Sequence, residues 1–262
     1  MSTAAAPFEI GTVRLVVNDL AKVADFYISA LGLEKLGGDG SHARLGVGGR
    51  TLVELIADPA ARRSSKREAG LFHTAFLLPA RADLGAWVHH AFDRRLQVQG
   101  ASDHLVSEAL YLADPEGNGI EIYTDRPRER WTGADGKIKM STDPLDIDDL
   151  AAAARGPWRG APEGTVVGHI HLQVGDVAQA EAFYRDRLGF PVMAHYPGAA
   201  FYGSGGYHHH IATNVWSSRG AGARTYGTGL AGFSILADSP PAETEVTDPW
   251  GMAITFEPKV AA

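Results

Sequence analysis

The chain of 262 residues contains no cysteine. Disulfide bonds, zinc–thiolate sites and thiol nucleophiles are therefore excluded. Basic residues are few as well, with 24 lysines and arginines against 31 aspartates and glutamates, so the formal net charge is −7. Proteins that bind nucleic acids usually carry clustered positive charge on one surface. We therefore expect no nucleic-acid partner.

Long apolar stretches are also missing. No run of the sequence approaches the roughly 20 apolar residues that cross a bilayer. The first ten residues, MSTAAAPFEI, lack the basic start and apolar block of a secretory signal. Hydrophobic residues still make up 45% of the chain, which is enough for a full core. These features predict a soluble, cytoplasmic, globular protein without a membrane partner, built as one large domain or two smaller ones.

An internal repeat organises the chain. The segments TVRLVVNDLAKVADFYISALGLEKL (12–36) and HIHLQVGDVAQAEAFYRDRLGFPVM (169–193) show the same order of strand, aspartate, helix, Leu-Gly and strand. Asp19 and Asp176 stand where a helix N-cap belongs, because apolar residues recur at helical spacing after each of them. The glycine that follows each terminal leucine predicts the end of the helix.

A weaker repeat completes the pattern. LFHTAFLLP (71–79) with LADPEGNGIEIY (112–123) parallels LAGFSILAD (230–238) with VTDPWGMAITF (246–256). The sequence thus predicts an α+β protein of four βαβββ-type modules, of which the fourth is shortened because it has no room for a helix. We place a linker rich in proline, glycine and charge between two module pairs, 1–125 and 166–262. The predicted segments are modules 10–58 and 70–125, linker 126–165, and modules 166–216 and 228–258.

The segment DHLVSEALYLADPEGNGIE (103–121) carries the most specific signal. Its Asp-Pro-Glu-Gly-Asn-Gly turn is by itself an ordinary hairpin turn. That turn does not explain Glu121, a carboxylate between two isoleucines in a strand otherwise suited to burial. Together with the repeats, the segment resembles the ring-cleavage signature of type I extradiol dioxygenases in the vicinal-oxygen-chelate superfamily, and most of all bacterial catechol 2,3-dioxygenases. The residues that fit that signature are His104, Tyr111, Pro115, Gly117 and Glu121, whereas Ser102 departs slightly from it.

This resemblance, which covers most of the chain, implies that each module curls into a half-barrel and that two modules close a cup. It also implies that metal ligands lie on the first and last strands of each module. The fold class that we expect is therefore two paired half-barrel cups. The corresponding positions are Thr12 and Glu54, His73 and Glu121, His169 and Ile211, and Gly232 and Thr255 in the four modules.

Two pairings of the modules remain open. Sequential pairing, which is usual in two-domain extradiol enzymes, would bring Glu54, His73 and Glu121 into one cup. Pairing 70–125 with 166–216 would instead bring together His73, His169 and Glu121. Two histidines and one carboxylate form the facial triad that binds Fe(II) with open coordination positions, and Mn(II) suits such a site too. We favour this second pairing and predict His73, His169 and Glu121 as the metal ligands.

The resemblance implies Fe(II)-dependent extradiol cleavage of a catechol-type aromatic by O2, a reaction of aromatic catabolism. A histidine on a late strand of the metal-bearing pair then serves as the acid–base residue. In GYHHHIATN (206–214), strand alternation directs His209 into the cup and its two histidine neighbours away from it. Tyr111 and His104 would orient the substrate oxygens. The predicted pocket residues are His171, Phe201, Tyr207 and Trp216.

Two other functions compete with this prediction. A glyoxalase-type isomerase or lyase would use Glu54, His73 and Glu121. A metal-free protein that sequesters a planar drug would need only the fold and would leave the converging histidines without a task. The fold cannot decide between these functions, because one fold supports many chemistries. All of them have a small-molecule partner and are compatible with a homo-oligomer.

Overall fold

A computed structural model describes residues 6–259 of the chain, and its β-sheets follow the repeats. The first five residues, half of the N-terminal stretch considered above for a secretory signal, lie outside the described residues. Within the described range, no helix is both long enough and apolar enough to cross a membrane. The structure combines two large sheets with a few helices, which confirms the predicted α+β class.

The first two modules have the predicted order of strand, helix and three strands. The first consists of β1 (Phe8–Val17), α1 (Leu20–Leu31), β2 (Glu34–Gly38), β3 (His42–Val47) and β4 (Arg50–Ala57). The second consists of β5 (Gly70–Leu77), α2 (Arg81–Asp93), β6 (Gly100–Asp103), β7 (Ser107–Ala113) and β8 (Gly119–Asp125). A 3-10 turn (Arg128–Arg130) and helix α3 (Ile147–Ala152) lie in the segment that follows.

The third and fourth modules differ in the way that their lengths predict. The third consists of β9 (Val166–Gln173), α4 (Val177–Glu181), a π-helical continuation (Ala182–Arg187), β10 (Val192–Tyr196), β11 (Ala199–Tyr202) and β12 (Ile211–Asn214). The fourth has only β13 (Gly229–Ala237), β14 (Glu245–Thr247) and β15 (Ala253–Pro258). Its described residues include no helix, because the short connection after β13 leaves no room for one.

The capping residues act as the sequence predicts. The carboxylate of Asp19 accepts a hydrogen bond from the Lys22 amide at 3.0 Å, and that of Asp176 accepts one from the Gln179 amide at 2.7 Å. Gly32 follows α1 with a φ of 69°, in the left-handed region that favours glycine. These local signals set where the two repeated helices begin and where the first ends.

One predicted strand is shorter than expected. We predicted a strand through GYHHHIATN (206–214), but β12 begins only at Ile211. Gly205 and Gly206 both have positive φ, 58° and 72°, and the Tyr207 amide donates to the carbonyl oxygen of Ser204 at 3.0 Å. This turn takes the backbone of His208 and His209 out of the ladder, and bonding to the neighbouring strands resumes at His210, whose amide donates to Tyr202 and whose carbonyl accepts from Ile170.

The order of strands in the two sheets joins the modules crosswise. An eight-stranded sheet has the order β10-β11-β12-β9-β5-β8-β7-β6, and a seven-stranded sheet has the order β14-β15-β13-β1-β4-β3-β2. Strand β5 pairs antiparallel with β9, and β1 pairs antiparallel with β13. The second and third modules therefore share one sheet, while the first and fourth share the other.

The main apolar core takes residues from both sheets. Leu15 and Phe233 from the seven-stranded sheet belong to the same buried cluster as Phe76 and Ile170 from the eight-stranded sheet. Since side chains alternate along a strand, the residues next to Phe76 and Ile170 in sequence point to the opposite face of their sheet. That second face contains the candidate site.

Candidate metal centre and substrate pocket

Three neighbouring strands in the middle of the eight-stranded sheet supply the predicted ligands. Strand β5 carries His73, β8 carries Glu121 and β9 carries His169, and β5 lies between the other two. Ile120, Ile122 and Ile170 alternate with these side chains and pack in the core on the other face. Strand alternation thus places the two imidazoles and the carboxylate together on the cup side of the sheet.

The three side chains converge closely. Nε2 of His73 lies 3.0 Å from Oε2 of Glu121, and Nε2 of His169 lies 3.3 Å from the same oxygen. The two Nε2 atoms are 3.3 Å apart. All three residues are buried, and they are the only group of three candidate ligands in the part of the chain that the structure describes. The geometry brings one oxygen and two nitrogen ligands to one point.

The protonation states of these residues suit a divalent cation. Burial opposes ionisation of Glu121, but His169 and His73 outweigh it and hold the pKa of the carboxyl well below its usual range. Burial lowers the pKa of His169 to about 4, although the Glu121 carboxylate acts in the opposite direction. At neutral pH the site therefore offers a carboxylate and a neutral imidazole, the forms that bind metals. This donor set fits Fe(II) or Mn(II).

The rival ligand set with Glu54 does not form. Glu54 lies on β4 of the seven-stranded sheet, beside Arg14 of β1 and Arg44 of β3 in the ladders. His73 and Glu121 belong to the eight-stranded sheet. The two sets of side chains are therefore on different sheets, and Glu54 is not part of the convergent group.

His209 lies beside the ligands. Its ring centroid is 4.1 Å from that of His169 and 5.1 Å from that of Phe201, and the side chain lines the cavity described below. Burial, together with the neighbouring histidines, lowers the pKa of His209 well below its usual value. The imidazole is therefore neutral at pH 7 and is able to accept a proton.

Tyr111 and His104 form a hydrogen-bonded pair at the same site. Tyr111 on β7 lies directly opposite Glu121 on β8, and its hydroxyl is 2.6 Å from Nε2 of His104. Nδ1 of His104 donates to the carbonyl oxygen of Ser141 at 2.6 Å, so Nε2 accepts from the Tyr111 hydroxyl. Burial and the Glu121 charge raise the pKa of Tyr111 well above its usual value. The phenol therefore stays protonated.

The ligands open into a cavity of about 250 Å³. Of the predicted pocket residues, His171, Phe201 and Trp216 line it. Nε2 of His171 accepts from the Asn214 amide at 3.0 Å, and the Asn214 oxygen in turn accepts from the Trp216 amide. This nitrogen is thus occupied, which keeps His171 out of the ligand set. The remaining lining residues are Phe72, Ser102, Ser107, Met140, Ser141, Thr142, His195 and Tyr196, together with the ligands, His104, Tyr111 and His209.

Tyr207 was predicted to line the pocket, and that prediction is wrong. Its side chain is fully buried and is absent from the cavity wall. The hydroxyl instead donates to Asp125 at 3.1 Å and lies 2.8 Å from the Tyr123 hydroxyl. The turn at Gly205 and Gly206 directs the Tyr207 side chain away from the cavity. Its ring packs against that of Trp131 instead.

Several pocket residues were missed. Phe72 lines the cavity although it neighbours His73, because a register irregularity lies between Leu71 and His73 in the β5–β9 ladder. His195 has a side chain that is 62% exposed and lines the rim of the cavity, where Glu181 pairs with it at 2.7 Å. A bulge leaves no signal in a single sequence, so alternation could not reveal Phe72.

Comparison with known proteins agrees with this architecture. Residues 9–122 and 166–248 match the family model of the Glyoxalase/Bleomycin resistance protein/Dioxygenase superfamily. A catechol-2,3-dioxygenase of Bacillus subtilis (strain 168) is 39% identical over 234 residues, which cover 87% of this chain and 82% of that protein.

Two solved structures are similar in fold. A putative dioxygenase from Bacillus subtilis subsp. subtilis str. 168 has a TM-score of 0.66 at 13% identity, over 96% of this chain and 86% of that one. Glyoxalase I from Zea mays has a TM-score of 0.59 at 14% identity, over 97% and 94%. At these identities the likeness concerns the fold alone. The family model and the sequence relative confirm the expected resemblance, and the chain belongs to the Glyoxalase/Bleomycin resistance protein/Dioxygenase superfamily.

Proposed function

We propose that this protein is an Fe(II)-dependent extradiol dioxygenase that cleaves a catechol-type aromatic with O2. The observation that carries the proposal is the convergence of His73, Glu121 and His169 at one end of a cavity with aromatic walls. The sequence relative named catechol-2,3-dioxygenase supports a dioxygenase. Fe(II) held by these three side chains would supply open positions for two adjacent substrate hydroxyls and for O2, and would lower the cost of forming a catecholate.

The residues around the ligands have the properties that this reaction needs. The neutral imidazole of His209 accepts the second phenolic proton of the substrate and returns a proton later in the cycle. The Tyr111 hydroxyl lies 2.6 Å from Nε2 of His104, and its oxygen has lone pairs that can accept a hydrogen bond from a substrate hydroxyl. His104 in turn holds the tyrosine in place through the Ser141 carbonyl.

The aromatic wall positions the ring and excludes water. Phe72 contacts Trp216 and His171 edge-on, with ring centroids 5.4 and 4.8 Å away. Phe201 faces His171 and His209 from the other side, at 6.0 and 5.1 Å. Edge-to-face arrangements of this kind suit the binding of a further aromatic ring. Exclusion of water would also lower the local dielectric constant and so strengthen the charge interactions at the ligands.

Neither alternative function is favoured by the geometry. The glyoxalase-type ligand set fails because Glu54 lies on the other sheet. A metal-free binding protein would bury the Glu121 carboxylate against two imidazoles without a cation, and burial of such a charge is costly. A cytoplasmic location, a role in aromatic catabolism and assembly into a homo-oligomer stay predictions.

The test is to load the purified chain anaerobically with Fe(II) and to record oxygen uptake with a panel of catechols. We expect one O2 to be consumed per catechol and a yellow, ring-opened aldehyde to form. Glu121→Gln should lose this activity, whereas Glu54→Gln, an equivalent change on the other sheet, should keep it. Absence of oxygen uptake with all catechols, with turnover of a methylglyoxal hemithioacetal instead, would contradict the proposal.

A further inference from the structure

Behind His209, a chain of hydrogen bonds leads away from the cavity. Nδ1 of His209 lies 2.8 Å from Nδ1 of His208, and Nε2 of His208 lies 2.9 Å from Oδ1 of Asp125. His208 is completely buried and Asp125 is partly exposed, so this chain runs from the cavity wall through the interior to a second cleft that Asp125 lines. Neither His208 nor Asp125 lines the cavity, and the function proposed above uses neither.

The carboxylate at the end of this chain determines where each proton lies. An ionised carboxylate only accepts hydrogen bonds, so Nε2 of His208 must carry the hydrogen that it donates to Asp125. A neutral imidazole that is protonated on Nε2 presents a lone pair at Nδ1. Nδ1 of His209 is therefore the donor across the 2.8 Å contact. The other nitrogen of His209, Nε2, is then left without a hydrogen.

The surroundings hold His208 and Asp125 in place. The Tyr207 hydroxyl donates to the same Asp125 oxygen at 3.1 Å, and the Tyr123 hydroxyl lies 2.8 Å from that of Tyr207. The Trp131 ring packs against His208 with centroids 4.9 Å apart and planes at 70°. A second donor to the carboxylate and an aromatic wall on the imidazole leave both groups with one well-defined orientation.

We propose that His208 and Asp125 are a positioning pair that fixes His209 in the tautomer protonated on Nδ1, so that Nε2 meets the cavity as a proton acceptor. The inference rests on the acid–base role proposed for His209. It follows the same physical logic as the aspartate of a Ser-His-Asp triad, which sets the tautomer and orientation of its histidine. Here a second histidine stands between the carboxylate and the acid–base residue.

Asp125→Asn tests this arrangement because an amide nitrogen donates where a carboxylate oxygen only accepts. With its NH2 group at the position of Oδ1, the asparagine would donate to Nε2 of His208, which would then carry its hydrogen on Nδ1, and the Tyr207 hydroxyl would turn to that of Tyr123. The contact with His209 would reverse, and His209 would become protonated on Nε2, towards the cavity. The substitution changes neither the size of the side chain nor any metal ligand.

The first test reads the tautomer directly and needs no activity. Histidine nitrogens are labelled with ¹⁵N, the diamagnetic Zn(II)-loaded chain is studied by two-bond ¹H–¹⁵N correlation, and His209→Phe identifies the His209 signals. We expect the Nδ1-protonated tautomer at His209 in the natural chain and the Nε2-protonated tautomer in Asp125→Asn. Protonation of His209 on Nε2 in the natural chain would overturn the proposal, even if Asp125→Asn failed to fold.

The second test uses turnover per bound iron. Asp125→Asn should lower kcat by roughly tenfold to a thousandfold, with iron content and KM for the catechol unchanged. His208→Asn keeps an acceptor oxygen near the position of Nδ1, whereas His208→Leu has none. The fall in kcat should therefore be at least about tenfold smaller in His208→Asn than in His208→Leu. In the His208→Asn background, Asp125→Asn should lower kcat little further. The amide oxygen of the new asparagine accepts from His209 regardless of the side chain at position 125.

The two proposals fail in different ways. If the natural chain takes up no oxygen with catechols, the proposed function is wrong, while the tautomer of His209 is still measured by NMR. If the natural chain is active but Asp125→Asn lowers kcat equally in both backgrounds, His208 does not transmit the effect and the positioning pair is refuted. A fall in iron content in Asp125→Asn would likewise refute it.

Discussion

His73 and His169 are diagonal neighbours across the antiparallel ladder of β5 and β9, with their Nε2 atoms 3.3 Å apart. The residue directly opposite His73 is His171, and the residue directly opposite His169 is Ala75. Diagonal neighbours on one face of a sheet are within reach of long and aromatic side chains. The small side chain of Ala75 leaves the space in which the two imidazoles converge. The candidate metal centre therefore depends on two strands that are distant in sequence.

Metal binding should depend on His169 although it lies in the other half of the chain from His73 and Glu121. His169→Ala removes one of three ligands, and we expect iron content to fall from close to one per chain to nearly none. Glu54→Ala should retain full iron, since that residue lies on the other sheet. Metal analysis after anaerobic loading and desalting measures both. Full iron in His169→Ala with loss in Glu54→Ala would show that the ligand set is wrong.

Gly119→Ala should weaken the metal site without touching a ligand. A Cβ at Gly119 would lie 2.0 Å from the carbonyl oxygen of Phe72 and 3.2 Å from Cα of His73. Backbone cannot yield as a flexible side chain does, so β5 and β8 must separate where His73 meets Glu121. We expect a loss of about 1–3 kcal/mol in the free energy of unfolding and weaker iron binding.

Gly100→Ala is the matched control for this change. Gly100 lies on β6 in the same sheet, and the nearest atom to its Cβ would be 4.0 Å away, an ordinary contact. This variant should keep both stability and iron affinity. Denaturant unfolding and iron titration of the two variants are the measurements. Equal behaviour of the two variants would show that the approach of Gly119 to β5 is unimportant for the site.

His209 and His210 should respond differently to substitution. His209→Phe keeps a ring but removes the proton acceptor, and a positioned acid–base group contributes on the order of a hundred- to ten-thousandfold in rate. We expect a loss of that size in turnover per bound iron, with unchanged iron content. His210→Asn should keep the turnover, because His210 is bonded to the Ser204 amide and does not line the cavity. Normal turnover in His209→Phe, or loss of its iron, would refute the role of His209.

The substrate should be an uncharged catechol. Among the described residues, no lysine or arginine lines the cavity, and its one carboxylate belongs to the candidate ligand Glu121. A carboxylated ring would bury a second negative charge without a partner, at a cost of several kcal/mol. We expect kcat/KM for catechols that carry a carboxylate to be at least about a hundredfold below that for alkyl catechols of similar size.

A substitution in the cavity wall tests this charge selectivity. Met140 lines the cavity and is partly exposed, so an arginine there has room to reach both solvent and substrate. Met140→Arg should raise kcat/KM for carboxylated catechols relative to alkyl catechols, whereas Met140→Leu should leave the ratio unchanged. Equal kcat/KM for both substrate classes in the natural chain would contradict the prediction.

His210 should make the protein sensitive to acid. The Ser204 amide donates to its Nδ1 at 3.1 Å, which leaves a buried Nε2 without a partner in the described structure, and burial lowers the pKa of His210 to about 3. The unfolded chain binds this proton near pH 6.5. The contribution of His210 to stability is therefore complete above about pH 6.5 and is lost as the pH falls towards 3.

The expected size of this effect is up to about 3 kcal/mol between pH 7 and pH 4. His210→Asn keeps a side-chain acceptor for the Ser204 amide but cannot be protonated. Urea unfolding of both proteins at several pH values in this range measures the difference in slope. Other buried histidines act in the same direction, so only the difference between the two proteins reports on His210. Identical losses of stability would show that His210 does not resist protonation.

The sequence predicts most of this architecture because its signals are local. The N-caps Asp19 and Asp176 determine where the two repeated helices begin, and the repeats predict the order of strands and helices. Alternation along single strands places His73, Glu121 and His169 on one face, and the structure brings the three together. Their role as ligands stays a prediction that metal analysis will decide.

The remaining features depend on tertiary contacts that no local pattern reveals. Phe72 reaches the cavity through an irregular register between β5 and β9, and Tyr207 leaves it through two consecutive glycines with positive φ. Asp125 carries no signal of its own in the sequence, since its hydrogen bond with His208 joins residues 83 positions apart. Single-sequence reasoning names the three candidate ligands, whereas the contacts around them appear only in the folded protein.

The crosswise joining of the modules also bears on how a newly made chain folds. The ligand-bearing sheet comes from one continuous stretch, β5 to β12, whereas the other sheet joins strands from opposite ends of the chain. During synthesis, all strands of the ligand-bearing sheet leave the ribosome before β13 does. Strand β1 must meanwhile keep an unpaired edge, which is where unwanted strand pairing begins. Because distant pairings form slowly, translation favours early assembly of the ligand-bearing half and late closure by the outer strands.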